Sequence, residues 1–193
     1  MAVLRAIIGL GNPGPEHALD RHNAGFWFVD ALAQSERVQF RSERKFGGDL
    51  ARLTLAGQDL LMLKPQTFMN RSGQAAQALL AFHKIEPAES LVVHDELDLP
   101  PGTARLKQGG GHGGHNGLRS MHEHIGAEYL RLRIGIGHPG HKDRVHDYVL
   151  SCPDSVQLQA MEEALGRALD AVRTLLSAGW DKAAQQLHTE ASQ

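Results

Sequence analysis

The sequence has 193 residues, of which 41% are hydrophobic and 22% charged, values that exclude a disordered or fibrous chain and fit a globular one. At this length residues 1–193 are predicted to form a single domain. The formal net charge of -2 argues against attraction to nucleic acid by the whole surface, so any such binding needs a local basic patch.

No apolar run approaches membrane-spanning length. The apolar stretch near the start of the sequence is interrupted at Gly11-Asn12-Pro13-Gly14, before the core of a signal peptide could form. Cys152 is the only cysteine, so an internal disulfide is excluded and we expect a buried, inert thiol. These features predict a cytoplasmic protein without a membrane anchor.

The first half of the chain shows strand, helix and hairpin patterns in turn. Apolar and β-branched residues predict a buried strand over residues 3–10. A helix is predicted after Asn23, whose side chain is available as an N-cap. Two strands, residues 46–55 and 58–64, flank the short turn Ala56-Gly57 and suit a hairpin. The sheet is therefore not expected to be purely parallel.

The second half alternates helical and strand patterns. A second hairpin-like pair is expected through residues 103–107, before a glycine-rich segment. The other predicted elements are a helix over residues 73–84, strands over 91–94 and 131–136, a helix over 155–177 and a short helix from Trp180. Together these patterns predict a single α/β domain with a mixed twisted β-sheet flanked by helices, and a functional site beyond the strand ends.

The turn Gly9-Leu10-Gly11-Asn12-Pro13-Gly14 matches the dinucleotide-binding pattern G-x-G-x-x-G after a strand, with Asp30 near the usual acidic position. However, Pro13 has no N–H to offer a pyrophosphate, and it disfavours helical geometry at Asn12. Asp30 also lies in a helical pattern rather than in a strand. A rigid turn that presents the Asn12 side chain is the better interpretation, with a nucleotide-dependent oxidoreductase as the alternative.

His22 lies between this turn and an apolar cluster, where solvent access is limited. Imidazole titrates near neutral pH, so it can take a proton from water and return it to a leaving alkoxide. Asp95, which follows a predicted strand, could orient the imidazole and stabilise its charged form. Taken alone, His22 also fits a structural histidine and Asp95 a turn-capping acid, and a metal-binding pair is a further alternative.

Two loops offer amide side chains. The glycine-rich segment 109–117 has five glycines ahead of His115-Asn116, so a ligand can approach its backbone closely. Its histidines match no structural zinc spacing, whereas the Asn116 amide can both donate to an oxyanion and accept from an N–H. Met69-Asn70 similarly follows a strand, with an ordinary loop and helix cap as the alternative.

Residues 103–144 carry most of the candidate basic patch. They contain three acids and seven cations, namely Arg105, Lys107, Arg119, Arg131, Arg133, Lys142 and Arg144. A solvated basic face explains this segment as well as nucleic-acid binding does. A binding module that holds nucleic acid without chemistry therefore stays open from these residues alone.

Six motifs in order resemble those of bacterial-type peptidyl-tRNA hydrolases. They are GLGNPG, RHNAG, KPQTFMN, HDELDLPPG, GGGHGGHNG and RLRIGIGHPG, which span residues 9–140. The resemblance implies cleavage of the ester between a peptide and the 3′ ribose of tRNA, which recycles tRNA from abandoned chains. It also implies a monomer that uses no metal or cofactor.

The matching positions imply a role for each residue. His22 is the implied base, Asp95 its orienting acid, and Asn12 a group that binds substrate near the attacking water. The other implied contacts are Met69, Asn70 and Asn116 to the peptide, Lys107 and Arg133 to the tRNA 5′ phosphate, and His115 at the border of the site. The chain departs from the family at His17, which stands among the predicted substrate contacts where members commonly have tyrosine.

Overall fold

Seven strands form one mixed sheet in the computed structural model, which describes residues 3–190. The strands are β1 (Ala6–Gly9), β2 (Arg41–Glu43), β3 (Gly48–Leu55), β4 (Gln58–Pro65), β5 (Ser90–Glu96), β6 (Ala104–Gln108) and β7 (Leu130–Gly135). Their order across the sheet is β2-β3-β4-β1-β5-β7-β6. The four central strands β4, β1, β5 and β7 are parallel, whereas the outer pairs are antiparallel. This confirms the predicted mixed sheet.

Helices cover both faces of the sheet. They are α1 (Ala24–Ser35), α2 (Ser72–His83), α3 (Asn116–Ile125), α4 (Val145–Val149), α5 (Ser155–Ala178) and α6 (Trp180–Glu190). One apolar core joins the sheet to α1, α5 and α6, and a second joins it to α2 and α3. In the part of the chain that the structure describes, no helix is long and apolar enough to cross a membrane.

The predicted hairpin is present between β3 and β4. Its two turn residues, Ala56 and Gly57, have φ angles of 49° and 76°, the left-handed pair that a two-residue hairpin turn requires. The first strand is also present, but it covers only Ala6–Gly9. The predicted helices over residues 73–84 and 155–177 correspond to α2 and α5.

Several expectations for other segments were wrong. β6 does not form a hairpin with the preceding strand but pairs with β7, after the glycine-rich segment and α3. The elements β2, α3 and α4 were not predicted. Cys152 is exposed rather than buried. The Asn23 side chain does not cap α1, because it bonds to the backbone of Asn12 instead.

Close backbone contacts place the start of α1 directly over the ends of β1 and β5. A Cβ on Gly25 would lie 2.3 Å from the carbonyl oxygen of Val93, and one on Gly9 would lie 2.4 Å from that of Gly25. A Cβ on Gly11 would meet the Phe26 ring at 2.6 Å. These glycines therefore serve helix–strand packing, and the packing brings the residues before α1 to the carboxyl edge of the sheet.

Candidate functional site

A cavity of about 870 Å³ lies at the carboxyl ends of the central strands, where a site was predicted. It is lined by the segment after β1, the residues before α1, the end of β5, and the loops before α2 and α3. Nine of the ten predicted site residues line it, namely Asn12, His22, Met69, Asn70, Asp95, Lys107, His115, Asn116 and Arg133. The side of α4 also contributes, through Val145 and Val149.

Asp95, the penultimate residue of β5, lies between two imidazoles. Its Oδ2 accepts a hydrogen bond from His22 Nδ1 at 2.9 Å, and its Oδ1 accepts one from His115 Nε2 at 2.7 Å. The Asp95 side chain is 2% exposed, and those of His22 and His115 are 10% and 11% exposed. Since Nδ1 of His22 carries the donated proton, its Nε2 is the nitrogen that can accept a proton from a ligand.

The charges in this trio shift the pKa values of two members. Burial lowers the pKa of His22, but the charge and hydrogen bond of Asp95, with a further contribution from Asp20, raise it above the ordinary histidine value. Burial raises the pKa of Asp95, but electrostatic interactions and hydrogen bonds with His22 and His115 lower it far below its usual range. Asp95 is therefore a carboxylate at neutral pH, and it stabilises a positive charge on His22.

Asn12 is oriented by three hydrogen bonds. Its backbone N–H and C=O bond to the Asn23 amide at 2.8 and 2.9 Å, and its Oδ1 accepts the N–H of Met69 at 2.8 Å. These bonds use the acceptor end of the Asn12 amide, so its Nδ2 donor is the end left for a ligand in the cavity. Asn23 was predicted to cap a helix and instead fixes this turn.

Met69, Asn70 and Asn116 line the same part of the cavity. Met69 is 4% exposed, and a Cβ on Gly117 would lie 2.5 Å from its sulfur, so the start of α3 packs directly on this thioether. Asn116 Oδ1 accepts a hydrogen bond from Arg119 at 3.0 Å. An apolar surface with two amides at its border is suited to an extended peptide.

Lys107 and Arg133 belong to a block of four cations on one face of the sheet. The antiparallel register sets Arg105 opposite Arg133 and Lys107 opposite Arg131, and residues two apart on a strand share a face. Arg133 donates its Nε–H to Glu96 at 2.8 Å, which leaves its two terminal nitrogens for an anion. This block can bind a phosphate group.

Sequence reasoning treated Arg131 only as one cation of the candidate basic patch. This residue is 3% exposed, and its guanidinium donates to the carbonyl oxygens of Gly110 and Gly111, both at 2.6 Å, and to His122. Arg131 thus anchors the glycine-rich segment to β7. The alternation Arg-Leu-Arg in the strand, which sets both arginines on one face, was the available signal.

Two other histidines differ from their expected settings. His17 is not among the residues that line the cavity; it bonds to Asp20, with 2.7 Å between Nδ1 and Oδ2. His94 was given no role from the sequence, yet it lines the cavity wall and is 1% exposed. Burial, and next the electrostatic interaction with His115, lower the pKa of His94 to about 3.

One cluster among the described residues has the composition of a metal site. His22, Asp95 and His115 each offer a ligand atom, and these atoms lie within 4.8 Å of one another. The imidazole nitrogens that face Asp95, Nδ1 of His22 and Nε2 of His115, already donate to its carboxylate. A metal ion bound there would have to displace both of these protons.

Comparison with known proteins gives consistent matches along the chain. A family model described as peptidyl-tRNA hydrolase matches residues 6–193. The peptidyl-tRNA hydrolase of Halorhodospira halophila is 54% identical over 185 residues, 95% of each chain. That of Neisseria gonorrhoeae is 49% identical over 188 residues, 97% of this chain and 98% of the relative. The crystal structure of peptidyl-tRNA hydrolase from Acinetobacter baumannii has a TM-score of 0.94 at 47% identity, covering 97% of this chain and 95% of that one.

Proposed function

Since the chain belongs to the peptidyl-tRNA hydrolase family, we propose a role for each cavity residue in its reaction. The protein is an enzyme that hydrolyses peptidyl-tRNA, at the ester between the peptide and the 3′ ribose, and so it acts in translation. A tRNA-binding module without chemistry is not favoured, because the matched relatives are hydrolases. We assign the reaction to the cavity at the carboxyl ends of the central strands.

His22 is the general base in this proposal. The observation that carries it is the 2.9 Å hydrogen bond from His22 Nδ1 to Asp95, because this bond selects the neutral tautomer that has its proton on Nδ1 and its lone pair on Nε2. Nε2 takes a proton from water as the water attacks the ester carbonyl, and it then returns the proton to the departing ribose oxygen. The Asp95 carboxylate orients the ring and stabilises the imidazolium that forms between these two steps.

Asn12 holds the ester next to the attacking water. Its Nδ2 donates to the carbonyl oxygen, on which negative charge develops during attack. Support comes from the hydrogen bond between Asn12 Oδ1 and the N–H of Met69, because it sets the orientation of the amide before substrate arrives. A donor that is already oriented does not have to reorganise in the transition state.

Asn70 and Asn116 bind the peptide backbone, and Met69 contacts its side chains. A peptidyl group presents an amide N–H where a free aminoacyl group presents a charged amine. Acceptor oxygens on Asn70 and Asn116 therefore favour the peptidyl substrate. Asn116 must exchange its bond with Arg119 for one to substrate, which an exposed hydrogen bond permits at low cost.

Lys107 and Arg133 bind the 5′ phosphate of tRNA. Arg133 is held at one edge by Glu96, so its other edge can make a bidentate contact with phosphate oxygens. With a net charge of -2 over the whole chain, this local block has to supply the attraction to RNA. His17 contributes to neither contact in this proposal, because it pairs with Asp20 instead.

We further propose that residues 1–193 are a single domain that works as a monomer in the cytoplasm, where ribosomes produce peptidyl-tRNA. A metal ion or cofactor is not needed, because His22 and Asp95 together supply the base and its stabilising charge. Sedimentation equilibrium of the purified protein should give the monomer mass. A stable dimer would refute this part of the proposal.

The test is hydrolysis of N-acetyl-aminoacyl-tRNA by protein treated with EDTA. We expect full activity after this treatment, and a decrease in kcat of about 100- to 10,000-fold in His22→Ala, the usual cost of removing a general base. His141→Ala is the matched control, since His141 is exposed and we expect its rate to match that of the unmodified protein. Retained activity in His22→Ala would refute the proposed base, and loss with EDTA would refute the metal-free mechanism.

A further inference from the structure

Both ring nitrogens of His115 are engaged by the protein itself. Nδ1 accepts the backbone N–H groups of Gly117 and Leu118 at 3.1 and 3.2 Å, and His115 is thereby the N-cap of α3. A nitrogen that accepts two N–H groups carries no proton, so the proton of the ring lies on Nε2. That nitrogen donates to Asp95 Oδ1 at 2.7 Å. The contacts of the His115 ring therefore define Nδ1 as an acceptor and Nε2 as a donor.

This arrangement holds Asp95 by both of its oxygens. His22 occupies Oδ2 and His115 occupies Oδ1. The two imidazole rings are also in contact, with centroids 4.9 Å apart. A carboxylate with one partner can rotate about its terminal torsion, whereas a carboxylate bonded at both oxygens cannot rotate without breaking a bond. The orientation of the His22 ring therefore depends on the bond from His115.

We propose that His115 is a positioning residue, which links the amino end of α3 to Asp95 and so holds Asp95 in the orientation that aligns His22. This rests on the proposed role of His22 as base. It differs from the sequence expectation that His115 binds substrate, because neither ring nitrogen is left for a ligand. The positioning role also differs from the role of a second general acid or base, because His115 cannot transfer a proton without giving up one of its two contacts.

Histidine can join these two partners because its nitrogens lie on opposite sides of one rigid ring. Asparagine and glutamine each reproduce half of this function. The asparagine amide lies at the position of Nδ1 and is among the best N-cap groups, but it is too short to reach Asp95. The glutamine amide extends to the position of Nε2 and can donate to Asp95, but its longer chain is a poor N-cap.

The two variants therefore separate positioning from capping. In His115→Asn we expect kcat to fall on the order of 10- to 100-fold, the range for a misplaced reacting group, with KM changed less than about twofold. In His115→Gln we expect kcat to stay within about threefold of the unmodified enzyme, with a lower Tm from the weaker cap. A rise in KM at unchanged kcat in His115→Asn would overturn the proposal, because it would mean that His115 binds substrate.

A double substitution tests whether His115 acts through His22. If it does, adding His115→Asn to His22→Ala should lower the remaining activity by less than about twofold, because groups that act as a unit are not additive. A further 10-fold or larger loss would overturn the proposal. If His22→Ala alone retains full activity, the proposed base is wrong, and this outcome is recognised without any His115 variant.

The tautomer can be measured without substitution at the site. Nitrogen NMR of the histidine rings in the unmodified protein at neutral pH should show His115 with protonated Nε2 and unprotonated Nδ1. The signal is assigned by through-bond correlation to the backbone of residue 115 in the isotope-labelled unmodified protein. His141 serves as the comparison, because it also caps a short helix through Nδ1 but is exposed. A protonated Nδ1 on His115 would overturn the proposal even if both variants failed to fold.

Discussion

Replacing His94 by leucine should change how the stability of the protein depends on pH. His94 is 1% exposed and donates its Nδ1–H to the carbonyl oxygen of Asp95 at 2.9 Å. Its Nε2 is buried and has no hydrogen-bond partner in the described residues. Burial is the main reason why its pKa lies at about 3 rather than near 6.5. The folded protein therefore keeps this ring neutral where the unfolded chain protonates it.

The direction of the effect depends on which state binds the proton. Between about pH 6.5 and pH 3 the unfolded chain carries a proton on His94 and the folded protein does not, so lowering the pH favours unfolding. One pKa unit corresponds to about 1.4 kcal/mol. At about pH 5 the pH lies roughly 1.5 units below the pKa of His94 in the unfolded chain. Protonation of the unfolded chain at this histidine therefore lowers the free energy of unfolding by about 2 kcal/mol relative to neutral pH.

The measurement is urea unfolding followed by circular dichroism at several pH values, for the unmodified protein and for His94→Leu. The free energy of unfolding of His94→Leu, relative to that of the unmodified protein, should rise by about 2 kcal/mol when the pH is lowered from about 7 to about 5. Comparing the two proteins removes the contribution of His22, whose raised pKa stabilises the fold at low pH and therefore acts in the opposite direction. Parallel pH profiles for the two proteins would show that His94 is not kept neutral by burial.

Two further predictions concern catalysis and binding. In the unmodified enzyme we expect the acid limb of the kcat/KM profile to lie above the ordinary histidine pKa, because the pKa of His22 is raised. In Asp95→Asn this limb should move to lower pH, because burial then lowers the pKa of His22 without the compensating charge of Asp95. The kcat of this variant should fall by about 1,000- to 10,000-fold, as for removal of the acid of a catalytic triad. A pH profile with an unmoved acid limb would contradict this. In Arg133→Gln, KM should rise for tRNA that carries a 5′ phosphate and stay unchanged for tRNA without one, and the slope of log binding against log salt should fall by about one. Equal losses on the two tRNAs would show that Arg133 does not bind this phosphate.

Elements with a strong hydrophobic period were predictable from the sequence, and α3 shows why others were not. The alternation around Ala56-Gly57 located β3 and β4, and the apolar spacing located α5. By contrast, α3 is short, polar and preceded by glycines, so its own sequence favours a helix only weakly. Tertiary contacts hold it: a Cβ on Gly73 of α2 would lie 2.1 Å from the carbonyl oxygen of Ser120, and Leu118 and Met121 enter the core.

Helix α3 also explains how far the site could be predicted from the sequence. The sequence could nominate Asp95 as a carboxylate at a strand end, and His22 as a histidine with restricted solvent access, because both arguments use only local pattern. The role of His115 depends on which of its nitrogens carries the proton, and that is decided by the N–H groups of Gly117 and Leu118. Those groups point at His115 only because α3 begins there. Without the helix, the residue is a histidine in a flexible loop, for which substrate binding is the natural hypothesis. With the helix, both of its nitrogens are engaged by the protein, and this engagement is the ground for the positioning role that we propose.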